Sequence, residues 1–303
     1  MLLVGIDEVG YGCRLGPFIA TAVVLETPNP DLWKLLHPEV CRTAKEDGIP
    51  VCDSKKLFSQ SKGIKSLERT ALSFLIQGTT LQGLCKTLGS SACAPWTDGV
   101  DLDLPCDSTR DEIEDARRSL KKAFDREGVK FLGAYTRILE AVDFNAGLDR
   151  LKNKHDLHVE TVLRLLKEVL ERHDSLHASV EVGKLSARTF YLRPLTMQFN
   201  TSTFIRRETH KLSSYVMDLN GREIELSFVL DGDLTRFSIA LASVIGKYVR
   251  ECWMKLFNQY WARHFEKLKP TAGYGADAVR FWEKIKPLVS SLQLKTHQVY
   301  RNR

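Results

Sequence analysis

The sequence predicts an α/β protein in which strands interleave with helices and the C-terminal region is helical. Three observations carry that expectation. Leu2 to Asp7 and Phe18 to Leu25 are dense in Val, Ile and Leu, as strands buried on both faces are. Asp156 to His173 sets Val159, Val162, Leu163, Leu166, Val169 and Leu170 on one helical stripe. A long helix is expected from about Phe237 to His264, apolar at first and amphipathic later.

Between the first two strands lies Gly10-Tyr11-Gly12-Cys13-Arg14-Leu15-Gly16-Pro17, whose glycines favour a broad loop of close backbone approach over a tight hairpin. Asp53-Ser54-Lys55-Lys56 is a polar start for a helix leading to Leu57 and Ile64. Gly78 to Pro105 has no period and reads as loop. Thr109 and Glu112 fit a capping box at the head of a charged helix reaching Arg126. Ala178 to Leu185 is expected to be a strand, with strand or irregular chain around Tyr191. Glu223 to Leu230 alternates Ile224, Leu226, Phe228 and Leu230 with polar residues, a half-buried strand ending at Asp231-Gly232-Asp233. Pro270 to Gly275 breaks the long helix, and Ala276 to Ile285 forms another.

Composition narrows the function classes. The 43% hydrophobic and 27% charged fractions are those of a globular chain, which excludes wholesale disorder. No apolar run approaches a membrane span, and Asp7 and Glu8 interrupt any signal-peptide pattern, so a cytoplasmic, non-membrane protein is expected. The seven cysteines contain no CxxC pair, which argues against a zinc ribbon or a disulfide framework. Net charge is +6, and the pI of about 8.9 permits a polyanionic partner.

Three segments carry candidate chemistry. Asp7 and Glu8 sit together at the exit of an apolar strand, where burial and mutual repulsion both oppose ionisation. A divalent cation would relieve that, and oxygen donors suit Mg²⁺ or Mn²⁺. Neighbours on a regular strand face opposite ways, so both reach one ion only if the chain bends; a plain charged strand end is the equal alternative. Asp231-Gly232-Asp233 is a second acidic site, which a helix N-terminus alone would also explain. Gly273-Tyr274-Gly275 presents an aromatic ring on a turn.

In order along the chain, Gly5-Ile6-Asp7-Glu8-Val9-Gly10-Tyr11-Gly12 with Leu15-Gly16-Pro17, then Asp53-Ser54-Lys55-Lys56-Leu57, then Gly232-Asp233 with Ser238 to Lys247 and Arg250, then Gly273-Tyr274, resemble the blocks of the ribonuclease HII (type 2 ribonuclease H) family. The resemblance implies a ribonuclease H-like fold, a mixed central sheet flanked by helices. It implies a core over residues 1–265 with a variable insertion at about 78–130, and a helical extension over 266–303 packed on that core. The implied activity is divalent-metal-dependent hydrolysis of the RNA strand of RNA/DNA hybrids, or of ribonucleotides embedded in duplex DNA, by a monomer using Mg²⁺ or Mn²⁺. By position, Asp7, Glu8 and Asp233 would be three of four acids and the metal ligands. Gly10, Tyr11 and Gly12 would meet the ribose 2′-hydroxyl, with Tyr274 on the same sugar. Lys55, Lys56, Lys247 and Arg250 are candidates for phosphate contact, against the alternative of solvated surface charge.

The chain departs from that pattern at Gly183-Lys184-Leu185-Ser186-Ala187-Arg188, where Gly183 stands at the third acid's position. Glu181 is two residues earlier, on the same strand face but roughly 6–7 Å away, and is the candidate substitute. Ala272 stands where a lysine is usual, and Tyr11 where arginine is commoner. Three readings follow: a divergent nuclease, a weakened or inactive hybrid-binding protein, and a structure-specific DNA nuclease on the same fold.

Overall fold

The structure is a computed structural model that describes residues 1–58, 63–75, 79–91, 94–186, 188–265 and 267–302. Gly78 and Ala187 of the sequence reading, and one of the seven cysteines, Cys93, lie outside the described residues. A seven-stranded mixed sheet runs in the order Lys130–Leu139, Phe18–Glu26, Leu2–Val9, His177–Gly183, Glu223–Val229, Leu212–Asp218, Thr203–Glu208. The first strand, Leu2–Val9, pairs antiparallel with the second and parallel with His177–Gly183, which in turn lies parallel to Glu223–Val229. The three parallel strands therefore end at one edge, and Asp7, Gly183 and the Asp231–Asp233 turn meet there.

The continuous apolar run of the first strands has a direct cause. Leu3, Ile19, Val23 and Leu25 bury against the long helix Phe237–Ala262 on one face. Leu2, Val4, Ile6, Ala20, Ala22 and Val24 bury on the other face with the stripe of helix Lys154–Arg172. A strand covered on both sides loses the period of two. The long helix comes unusually close to the sheet at Gly5, where a Cβ would lie 2.2 Å from the Ser238 backbone carbon. Among the described residues, no helix is long and apolar enough to cross a membrane.

Several elements differ from expectation. Lys130–Leu139 is an edge strand; its mixed exposure gave no clean alternation. Thr203–Glu208 and Leu212–Asp218 form an antiparallel hairpin. Leu192–Phe199, after Tyr191, is a helix rather than a strand. The aperiodic stretch expected to be loop contains helix Leu81–Thr87, capped by the Thr80 hydroxyl, and Trp96 packed edge-on to Trp253 at 5.1 Å. The capping box at Thr109 forms as expected: Thr109 Oγ1 accepts from Glu112 N–H, and Glu112 Oε2 accepts from Thr109 N–H.

One carboxylate ties this region to the core. Glu68, on helix Lys65–Phe74, is fully buried and accepts the backbone N–H groups of Cys106, Asp107 and Ser108 at 2.6–2.8 Å. It also accepts the Tyr248 hydroxyl of the long helix at 2.9 Å. Truncation would leave several buried donors without partners. Glu68→Ala should therefore destabilise by about 3 kcal/mol or more, and Glu68→Gln by less because one acceptor oxygen remains. Urea unfolding monitored by tryptophan fluorescence measures both.

Candidate active site

The first strand delivers its two acids to opposite faces of the sheet. Asp7 turns toward the long helix, where the Ser243 hydroxyl bonds to its carboxylate. Glu8 turns toward the helix on the other face, with Oε1 at 3.5 Å from His158 Nε2. Both nevertheless border one cavity of about 280 Å³ at the strand ends, together with Asp233, Lys55, Lys247 and Tyr274. Asp233 reaches it from the one-turn helix Gly232–Thr235, which follows Asp231 in the left-handed region at φ +50°.

Electrostatics at this edge is set mainly by burial. Burial pushes the Asp7 carboxyl up to about 7, and the Asp233 charge adds to that. Burial and then the neighbouring Asp7 push Glu8 up to about 8, while Arg301 and Lys55 pull it back. Asp233 is raised by burial and by Asp53. His158, 2% exposed, is pushed down to about 3 by burial and by the nearby His155 and Lys154, so it is a neutral imidazole. Its ring stacks on Tyr11 at 4.6 Å, and neither ring nitrogen has a hydrogen-bond partner among the described residues. The sequence reading missed His158 because it lies beside the apolar stripe of its helix.

The donor set fits a divalent cation in chemistry: hard carboxylate oxygens, crowded and short of opposite charge. It falls short in arrangement, because among the described residues no group of three His, Cys, Asp or Glu stands ready to hold a metal ion. Gly183 brings no carboxylate to this edge. A Cβ there would sit 2.6 Å from Asp7 Oδ1, so the Asp7 carboxylate occupies the space in which a side chain at 183 would begin. Glu181 does not fill the gap. Its carboxylate accepts the Ser238 hydroxyl at 2.6 Å and pairs with Arg236 at 3.0 Å, and it does not border the cavity.

The expected substrate contacts divide. Gly10 is buried at φ +86°, where a Cβ would meet the Pro17 carbonyl at 2.3 Å, so only glycine fits. Gly12 is exposed, with open space where a Cβ would be. The Tyr11 ring is held among His155, His158 and Lys154 rather than extended. Lys55 is exposed at the cavity; Lys56 is exposed but does not border it. Lys247 Nζ is engaged by Glu251 at 2.5 Å. Arg250 corrects the sequence reading: it is fully buried, donates to the Ala272 carbonyl and Cys13 Sγ, and lies 4.8 Å from the Tyr274 ring, so it cannot offer its charge to a phosphate. Lys184, not anticipated as a contact, also borders the cavity, with its Nζ donating to the Thr209 carbonyl at 2.6 Å.

No protein-family model and no curated protein matches the sequence. Among solved structures, the ribonuclease H2 of Pyrococcus horikoshii OT3 aligns over 99% of this chain and 92% of its own, at 14% identity and a TM-score of 0.50. The ribonuclease HII of Archaeoglobus fulgidus, solved as a complex with PCNA, aligns over 100% of this chain and 95% of its own, at 16% identity and a TM-score of 0.47. The likeness to the Pyrococcus protein, together with the mixed sheet flanked by helices, shows that this chain has the ribonuclease H-like fold.

The raised acids fix a pH dependence. Unfolded, both carboxyls titrate near pH 4, whereas in the folded protein Asp7 and Glu8 hold their protons to about 7 and about 8. The folded state thus binds more protons across that window, so stability falls as pH rises from about 4 to 8 and levels off above. Thermal melts in EDTA should show this fall, and Asp7→Asn should flatten part of it. A melting temperature that rises from pH 5 to 8 would contradict the assigned burial.

Proposed function

We propose that this chain is a divergent ribonuclease HII-type protein that grips an RNA/DNA hybrid, or duplex DNA containing a ribonucleotide, and hydrolyses it weakly or not at all. The observation that carries this reading is the contact at Gly183. The Asp7 carboxylate lies against a backbone that provides no third acid, while Glu181 is committed to Ser238 and Arg236. Binding draws on what remains. Lys55 supplies positive charge at the cavity, Tyr274 supplies a ring beside it, and the Gly10–Gly12 loop supplies backbone polar groups. Neutral His158 stacks on Tyr11 and lies 3.5 Å from Glu8.

A second reading, an Mg²⁺- or Mn²⁺-dependent endonuclease, is favoured by Asp7, Glu8 and Asp233 sharing one cavity. Those three residues would hold the ion, which supplies neutralisation of charge on the attacking and leaving oxygens. Under either reading, the cytoplasm and a monomeric state are the expected setting.

The test uses labelled RNA/DNA hybrid, duplex DNA with a single ribonucleotide, and all-DNA duplex, each with Mg²⁺, Mn²⁺ or EDTA. Binding should favour the ribose-containing duplexes, and cleavage should stay within background of an Asp7→Asn control or be slow and dependent on Mn²⁺. Loss of one metal-supporting group commonly costs on the order of 10²–10³ in rate, so long incubations are needed. Rapid turnover in Mg²⁺ that Asp7→Asn abolishes would establish the endonuclease instead. Equal affinity for all three duplexes would reject hybrid recognition.

Gly183→Asp probes the same contact. The new side chain must displace the Asp7 carboxylate and adds a further like charge. Melting temperature in EDTA should drop by a few degrees, and the rise on adding Mn²⁺ should exceed that of the wild type. An unchanged melting temperature in EDTA would mean that Asp7 does not crowd position 183.

A further inference from the structure

Arg301 is fully buried; its charge acts on Glu8 from a distance, and it makes no close ion pair among the described residues. Its guanidinium donates instead to backbone: Nη1 to the Gly10 carbonyl at 2.7 Å and Nη2 to the Tyr11 carbonyl at 3.2 Å. The group lies 3.7 Å from the Phe144 ring, and Nε has no partner among the described residues. Burying a cation on neutral acceptors costs stability that an apolar side chain of similar size would not. The cost is offset by geometry. A trans peptide points its C=O and the next residue's N–H in opposite directions. With the Gly10 and Tyr11 carbonyls drawn inward, the N–H groups of Tyr11 and Gly12 face away from the interior. Neither N–H has a hydrogen-bond partner among the described residues. Arg301 is itself fixed: its N–H donates to the Arg14 carbonyl at 2.9 Å, and Asn145 bonds the carbonyls of His297 and Tyr300 and the N–H of Asn302.

We infer that Arg301 is a positioning residue that sets the Tyr11 and Gly12 N–H groups as an outward pair of donors, so that the contact with the ribose 2′-hydroxyl which the resemblance implies for this loop depends on it. The inference rests on the hybrid-binding reading above and adds the group on which its discrimination depends. Phosphate contacts are the same for both sugars, so they contribute to affinity but not to the ratio.

The experiment measures fluorescence anisotropy in EDTA for same-sequence RNA/DNA and DNA/DNA duplexes, with the full chain and its Arg301→Met and Arg301→Lys variants. The wild type should prefer the hybrid. Arg301→Met should reduce that preference by about 2–10-fold for each donor lost, with DNA affinity nearly unchanged. Arg301→Lys, which keeps a donor, should fall between. If Arg301→Met does not fold, Asn145→Ala loosens the same segment and should lower the ratio. A wild-type preference retained in folded Arg301→Met, or in Asn145→Ala where that stands in for it, overturns this inference alone. A wild type without preference overturns the hybrid-binding reading and this inference together.

Discussion

The approach of the long helix to the first strand at Gly5 governs everything built around the cavity. Because no side chain stands between Gly5 and Ser238, helix and strand backbones meet, and successive helix residues are laid against successive features of the sheet edge. Ser238 meets Glu181, Ser243 meets Asp7, and Arg250 meets the loop that follows the strand. A methyl group at position 5 would push the helix outward and lengthen all of these contacts at once. The site is thus a property of one interface rather than of a collection of loops.

That interface also explains why the acids are so unlike one another. Asp7 is held on the helix side with a hydroxyl partner, and Glu8 on the far side against an uncharged imidazole. Glu181, nearest in sequence to the position that Gly183 leaves bare, has found its own donors and is satisfied where it stands. A carboxylate with good partners has little reason to leave them for a shared ion. Around Gly183 the neighbouring side chains have closed in, with Asp7 in the space and Glu181 bound elsewhere.

How much of this was legible in the sequence depends on the physical signal each feature leaves. The buried strands and the stripe of Lys154–Arg172 were readable because burial imposes composition and period. Thr109 and Glu112 were readable because a cap is local chemistry. The edge strand Lys130–Leu139 was not, because its half-exposed faces blur the alternation. Gly183 was visible as a departure, but only the structure shows Asp7 in its space. Arg250 and Arg301 mark the limit. An arginine in a sequence suggests a surface charge, and nothing local reveals that both are wholly enclosed and spent on carbonyl groups.

The bond between Arg301 and Gly10 spans 291 positions along the chain. On a ribosome, the glycine loop emerges 291 positions ahead of the donor that its carbonyls share. Until then, the strand leading into it can pair and the sheet can begin to assemble, yet the Gly10 carbonyl has only the Cys13 N–H within the loop and lacks its long-range donor. The loop is in this respect set long after it is made. A nascent or truncated chain could look folded by its secondary structure while its loop remained unset.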